Sequence, residues 1–217
     1  MQIDIIIDVI CPWCFIGKRR LERALARRPG LIVSRSWRAF QLNPEMPLEG
    51  LPREPHLAAR LGYPSAAERS YAAVCAAGRA EGIAFAFDRI RRTPNTLQAH
   101  RLIRLAAVSG SADEMVEALF QAYFLEGLDI GDTGTLAEIA ARAGLDQSAV
   151  ERHLAGQSGI GEVFAEERRA RRRGIRAVPC FVLERGYAIS GAQEPEMLLP
   201  LFDIATGSGN DVMAEES

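Results

Sequence analysis

Two cysteines with two residues between them, in the run IDIIIDVICPWCFIGKRRLERAL, stand where a strand gives way to a helix. No other stretch constrains the chain as strongly. Ile3 to Val9 is rich in β-branched residues and too short for a typical buried helix, so it reads as a strand. From Phe15 onward the period changes: Phe15, Ile16, Leu21 and Leu25 recur at roughly helical spacing, while Lys18, Arg19, Arg20 and Arg23 fill the other faces. At a helix start, unpaired N–H groups and the positive end of the helix dipole stabilise a thiolate, which predicts a depressed pKa for Cys11. Pro12, lacking an N–H, suits a first helical turn. Cys14 is close enough to attack a mixed disulfide formed on Cys11 and expel the bound partner, so the spacing supplies an attacking and a resolving thiol.

The rest of the chain sets the context for that pair. With 217 residues, 48% of them hydrophobic, it can bury a substantial core without a disulfide scaffold, as one domain or one domain carrying a large insertion. A formal charge of −2 and a pI near 6.0 give no reason to expect a nucleic-acid partner. The basic run RRARRRG reads as a solvated helix end, with Arg171, Arg172 and Arg173 opposing the dipole before Gly174. Asp4 and Asp8 interrupt the first apolar segment, so no export signal is expected, and no apolar stretch approaches the roughly 20 residues that span a bilayer. The expectation is a cytoplasmic protein without a membrane partner. Structural disulfides are uncommon in that compartment, and a CxxC there is redox-active or metal-binding. A zinc site takes about four ligands, but the chain has a single close cysteine pair and scattered histidines, His56, His100 and His153, so no metal is expected.

LIVSRSWRAF alternates well enough for a second strand and runs into the Pro-rich QLNPEMPLEGLPREP. Helical segments then follow one another to Gly174, several beginning after Ser, Asp, Asn or Thr and stopping at Gly. Strand character returns in AVPCFVLE and YAISG, which read as a hairpin, before a final helix in EPEMLLPLFDIA. The order β-α-β, helices, β-β-α predicts an α/β fold. Its two halves, residues 1–50 and 174–207, are separated by an all-helical insertion at 51–173, and a flexible polar tail follows at 208–217.

DVICPWCFIGKRRLERAL, FQLNP, NTLQAHRL, ALFQAYFLEGLDIGD, GIRAVPCFV and ISGAQ, spread over the chain to about Gln193, resemble the DsbA-like branch of the thioredoxin superfamily, and most closely its FrnE-like members. The resemblance implies a thioredoxin-like fold with an inserted helical domain, Cys11 as exposed nucleophile and Cys14 as resolving cysteine. It also implies that Val178 and Pro179 form a cis-proline pair facing the sulfurs, where an extended substrate segment adds as a strand through backbone hydrogen bonds. Pro12 and Trp13 complete the active-site turn. Trp13 has two readings, an apolar contact for substrate or a cover over the helix start, and its place beside the reactive sulfur favours the first. The implied activity is dithiol–disulfide exchange, as oxidoreductase or isomerase, on protein or small-molecule thiols and disulfides. No bound cofactor is expected, with glutathione a candidate redox partner.

Cys180 departs from the family pattern, which usually has an apolar or aromatic residue after the proline; strand alternation puts it on a face with Val178 and Val182, as buried filling. Cys75 reads as a helix-packing residue. Asn95 and His100 gain interest only through the resemblance. Two other readings compete. The kappa-class glutathione transferase and hydroxychromene-carboxylate isomerase group shares the architecture and an LNP-like segment, but typically has serine at the nucleophile and a GQDR-like motif where this chain has SGAQ. A binding module that uses the groove around Cys11 and Pro179 without turnover is the other.

Overall fold

A computed structural model describes residues 1–56 and 64–206. Strand β1 (Gln2–Ile7) leads into helix α1 (Pro12–Ala26), which crosses over to β2 (Ser34–Ala39). A helical crossover of this kind joins parallel strands, and β1 and β2 pair in parallel from Gln2 opposite Ser34 to Ile7 opposite Ala39. The chain returns to this sheet near its other end. Strand β5 (Cys180–Leu183) pairs antiparallel with the free side of β1, Ile6 opposite Cys180 and Ile3 opposite Leu183. Strand β6 (Ala188–Ser190) closes the sheet in the order β2-β1-β5-β6. A central strand is covered on both faces, which is why Ile3, Ile5, Ile6 and Ile7 run on without alternation and are all buried.

Between the two halves of the sheet lie a two-residue ribbon, β3 (Leu51–Pro52) against β4 (Arg92–Thr93), and most of the helices. These are α2 (Pro64–Ala80), α3 (Leu97–Val108), α4 (Ala112–Gln121), α5 (Thr133–Arg142), α6 (Gln147–Ala155) and α7 (Ile160–Arg172). Helix α4 widens into a π-helical turn at Ala122–Glu126, and α8 (Pro195–Thr206) follows the sheet. Asp132 and Asp146 cap α5 and α6 by accepting the backbone N–H of Thr135 and Ala149. The ribbon was not among the expected elements, because strands of two residues leave no alternation to detect. The tail at 208–217 lies outside the described residues.

Sheet and helices share one apolar core. Phe15 of α1 stacks on Phe120 of α4 at 5.0 Å and meets Phe85 edge-on at 6.2 Å. Two of the basic residues that fill the other faces of α1 are buried in ion pairs. Lys18 is buried and donates to Glu22 at 2.5 Å and Glu117 at 2.7 Å, while Arg20 reaches Glu81 at 3.0 Å and the Ala192 carbonyl at 2.5 Å. Burial works to raise the Glu117 carboxyl, but hydrogen bonds from Lys18 and Arg19 outweigh it and hold the group below the usual carboxylate range. The basic run at the end of α7 is also only partly solvated: Arg171 lies 4.4 Å over the Phe40 ring, pairs with Glu167 and donates to the Gln41 carbonyl at 3.0 Å.

Candidate active site

Cys11 is the N-cap residue of α1, in extended conformation at φ −91° and ψ 112°, with Pro12 as the first helical residue. Its N–H donates to the Asp8 carbonyl at 3.0 Å, and the Cys14 N–H donates to the Cys11 carbonyl at 2.9 Å. These bonds fix the turn. The Cys11 side chain makes no capping bond to the helix. Its thiol donates instead to the Val178 carbonyl at 3.5 Å, across 167 residues of sequence. The Val178–Pro179 peptide is cis, the geometry expected at this position. Helix and loop approach closely because residue 17 is glycine: a Cβ there would lie 2.8 Å from Pro179 Cγ and 3.3 Å from Phe181 Cζ. Gly17→Ala is therefore expected to force the loop away from the helix and cost about 1–3 kcal/mol of stability. Thermal unfolding of the reduced protein measures this, and an unchanged midpoint would refute the tight contact.

All four cysteines are free thiols. The expected exposure of the nucleophile needs correction: Cys11 is 5% exposed and Cys14 1%. Packing of the turn against the proline loop leaves only an edge of Cys11 in reach of a partner, and Cys14 lies wholly inside. Burial, then the hydrogen bond to Cys11 and the charge there, push the Cys14 thiol well above its ordinary range. Trp13, at 36% exposure, stands out on the surface of the turn as an apolar contact would. Cys180 is buried with Ile6 and Ser190 as its strand neighbours, and the Ser190 hydroxyl donates to its sulfur at 3.7 Å; burial raises this thiol too. That fits apolar filling. Cys75 is half-buried on α2.

Beside the turn lies a pair that sequence reasoning did not join. In the sequence Asp8 reads only as an interruption of an apolar run, and the distance of His100 from Cys11 is open. Asp8 Oδ1 and His100 Nε2 are 3.5 Å apart with side chains 0% and 2% exposed. Oδ2 of Asp8 accepts the Leu42 N–H at 2.7 Å. The signal in the sequence was the acid itself, since a carboxylate in a buried strand end requires a partner. Asn95 works locally. It donates to the Met46 carbonyl at 2.6 Å and accepts from Leu97 N–H at 2.9 Å and Gln41 Nε2 at 3.2 Å, tying the LNP segment to the start of α3.

A family model of the DSBA-like thioredoxin domain matches residues 2–202. The chain belongs to this family. It is 34% identical to a probable DsbA oxidoreductase from Streptomyces coelicolor, whose crystal structure superposes with a TM-score of 0.86 over 95% of this chain and 90% of that one. A 2-hydroxychromene-2-carboxylate isomerase shares the fold at 17% identity, with a TM-score of 0.76 over 99% of this chain and 100% of the other. The cytosolic disulfide reductase DsbM from Pseudomonas aeruginosa, solved with GSH, shares it at 19% identity, with a TM-score of 0.68 over 95% and 100% of the two chains.

The DsbA-like family is one of thiol–disulfide oxidoreductases, and the dithiol, the Val178 carbonyl and the proline loop sit together at one end of the sheet. Among the described residues no three His, Cys, Asp or Glu side chains cluster as a metal site requires, and no helix is long and apolar enough to cross a membrane.

Proposed function

We propose that this DsbA-like chain is a cytoplasmic dithiol–disulfide oxidoreductase or isomerase working through Cys11 and Cys14. The observation that carries the reading is the Cys11 thiol at the start of α1, 3.5 Å from the Val178 carbonyl and backed by the buried Cys14. Cys11, as thiolate, attacks one sulfur of a substrate disulfide; the substrate's S–S bond breaks, a mixed disulfide forms, and the released thiolate takes a proton from solvent. Cys14 then loses its proton and attacks Cys11, leaving reduced substrate and a Cys11–Cys14 disulfide. Run backwards, the steps oxidise a dithiol.

In this reading Val178 offers its backbone to an extended substrate segment, and Trp13 borders the same opening. The inserted segment 51–173 shapes the groove as a helical domain. Substrates are protein or small-molecule disulfides and thiols, with glutathione as redox partner. A glutathione-dependent isomerase or transferase is the weaker alternative, because the nucleophile here is a cysteine with a second thiol behind it.

A redox titration in glutathione buffers tests the proposal, with alkylation quench, intact mass and peptide mapping. A reversible Cys11–Cys14 disulfide with a defined midpoint is expected. Only a glutathione adduct, or no change, removes the resolving role of Cys14 and with it the reading.

A further inference from the structure

Half-buried arginines elsewhere in this chain meet a carboxylate: Arg19 meets Glu117, Arg35 meets Asp113, Arg92 meets Asp129, and Arg38 and Arg104 share Glu166. Arg53 does not. Among the described residues no acidic side chain lies within ion-pair distance of its half-buried guanidinium. Its Nη1 donates to the Tyr123 hydroxyl at 3.1 Å and its Nη2 to the Tyr71 hydroxyl at 2.8 Å. Burial pushes the Tyr123 hydroxyl well above its ordinary range, so it stays protonated and brings no countercharge. The rings of Tyr71 and Phe87, each centred 5.8 Å from the guanidinium carbon, offset only part of the positive charge. A cation taken this far out of water calls for an anion.

The fold holds this cation in a fixed place. Residue 53 continues the β3–β4 ribbon, its N–H donating to the Arg91 carbonyl at 2.9 Å. Tyr71 of α2 packs on Phe87 at 4.8 Å, and Phe87 stacks on Phe85 at 4.9 Å. Arg53, Tyr71 and Phe87 line an opening of about 360 Å³, with Pro55 and Ile90 as apolar walls. Glu54, Asp88 and Arg91 line it as well, all three exposed to solvent. Neither Cys11 nor the Val178–Pro179 loop belongs to this lining.

We propose that this opening binds a small carboxylic acid with an apolar body, anchored by Arg53. A guanidinium carries five N–H donors in a planar fork that matches a carboxylate, and the two tyrosines leave three of them unspent. The Tyr71 hydroxyl accepts from Arg53 and keeps its own proton to donate. The apolar walls and the edges of the two rings take the body of the ligand. The volume lies near the lower end of the roughly 300–1,000 Å³ typical of small-molecule sites, which suits a ring system or a short chain. Glu54 and Asp88 disfavour a phosphate dianion, which would bring a second negative charge past them. Because the tyrosines already hold the guanidinium, binding orders little that is not ordered beforehand. The site stands apart from the dithiol and does not depend on the reading proposed for it.

Isothermal titration calorimetry of the full chain with naphthoate and with octanoate tests the site and separates a ring from a chain as the apolar body. Saturable binding of at least one acid is expected, with a Kd of about 1 mM or tighter for ligands of this size. Arg53→Gln keeps a hydrogen-bonding side chain without the charge and is expected to weaken binding about 10-fold or more, the range of a lost charge-assisted hydrogen bond. Arg53→Lys keeps the charge without the fork and should recover only part of that loss. Tyr71→Phe leaves the cation in place and removes one donor, for a loss of roughly 5-fold, and it decides the matter if circular dichroism shows Arg53→Gln unfolded. Naphthalenemethanol, uncharged and of similar shape, should bind about 10-fold more weakly than naphthoate. No saturable binding of either acid overturns the proposal. So does a Kd unchanged in folded Arg53→Gln or in Tyr71→Phe, an alcohol that binds as tightly as the acid, or inorganic phosphate that binds more tightly than both acids.

Discussion

Cys14→Ser is expected to capture its substrate and hold it. The serine hydroxyl does not displace a disulfide sulfur, so the mixed disulfide on Cys11 persists until an outside thiol arrives, and multiple turnover falls to the background rate. Cys11→Ser should show the opposite phenotype, with no adduct and no turnover, since the remaining thiol of the pair is 1% exposed and out of a partner's reach. Intact mass after incubation with glutathione disulfide separates the two: a glutathionyl adduct on Cys14→Ser and none at residue 11 in Cys11→Ser. A Cys11→Ser protein that retained exchange would locate the chemistry on another thiol, Cys75 or Cys180. A Cys11→Ser protein that still bound disulfide substrates without exchanging them would favour a pure binding module.

The largest effect on stability is expected far from the sulfurs, at Arg101. This side chain is wholly buried, and its guanidinium donates to the carbonyls of Ser158 at 2.8 Å, Leu154 at 3.1 Å, His153 at 2.6 Å and Gly156 at 2.8 Å, and to Gln98 Oε1 at 2.5 Å. The acceptors include the last carbonyls of α6, which have no partner within their own helix and lie at the negative end of its dipole. Arg101→Met fills much of the volume but leaves these part-buried acceptors, and the buried Leu154 carbonyl among them, without their donors. The cost is about 3–5 kcal/mol, from roughly 1–3 kcal/mol for each group that stays unsatisfied, less what relaxation recovers. For a chain of this size that lowers the unfolding midpoint by about 10 °C. Lys at the same place keeps the charge and loses the fork, so it should rescue only in part. Thermal unfolding of the two variants checks the order, and a midpoint within about 2 °C of wild type for Arg101→Met, less than roughly 1 kcal/mol would produce, would refute the role.

These residues show where the sequence was readable. Periodicity located β1, α1 and the closing hairpin, because each has an unbroken apolar pattern and a Gly, Pro or polar boundary. The CPWC run was legible for the same reason: a local turn is written in adjacent residues. The resemblance supplied the place of Val178 and Pro179, which no local pattern joins to Cys11. Asp8 and His100 were each visible, but their meeting depends on how α3 packs against the end of β1, and nothing in either neighbourhood encodes that. Arg101 escapes notice because a basic residue in an amphipathic helix reads as surface. Lys18 and Arg20 mislead in the same way. In each case the acidic or carbonyl partner that makes burial tolerable comes from a distant segment, here Glu117, Glu81, or the turn after α6.

The placement of β1 between β2 and β5 also has a consequence for the protein's birth. A ribosome makes the CPWC turn before β2, its parallel partner strand, which follows within a few dozen residues. The strand that carries Cys180, and the Val178 carbonyl that faces Cys11, are made only after the whole helical stretch has emerged. Through most of synthesis the dithiol therefore sits on a half-built sheet with one side of its central strand open. A nascent chain, or a fragment cut before residue 178, has the motif without the Val178 carbonyl that faces Cys11. Closing that long span is also the costly contact in folding, the kind that slows the approach to the native state. The Cys11 turn thus gains the backbone opposite it late, with the docking of the segment from residue 178 onward.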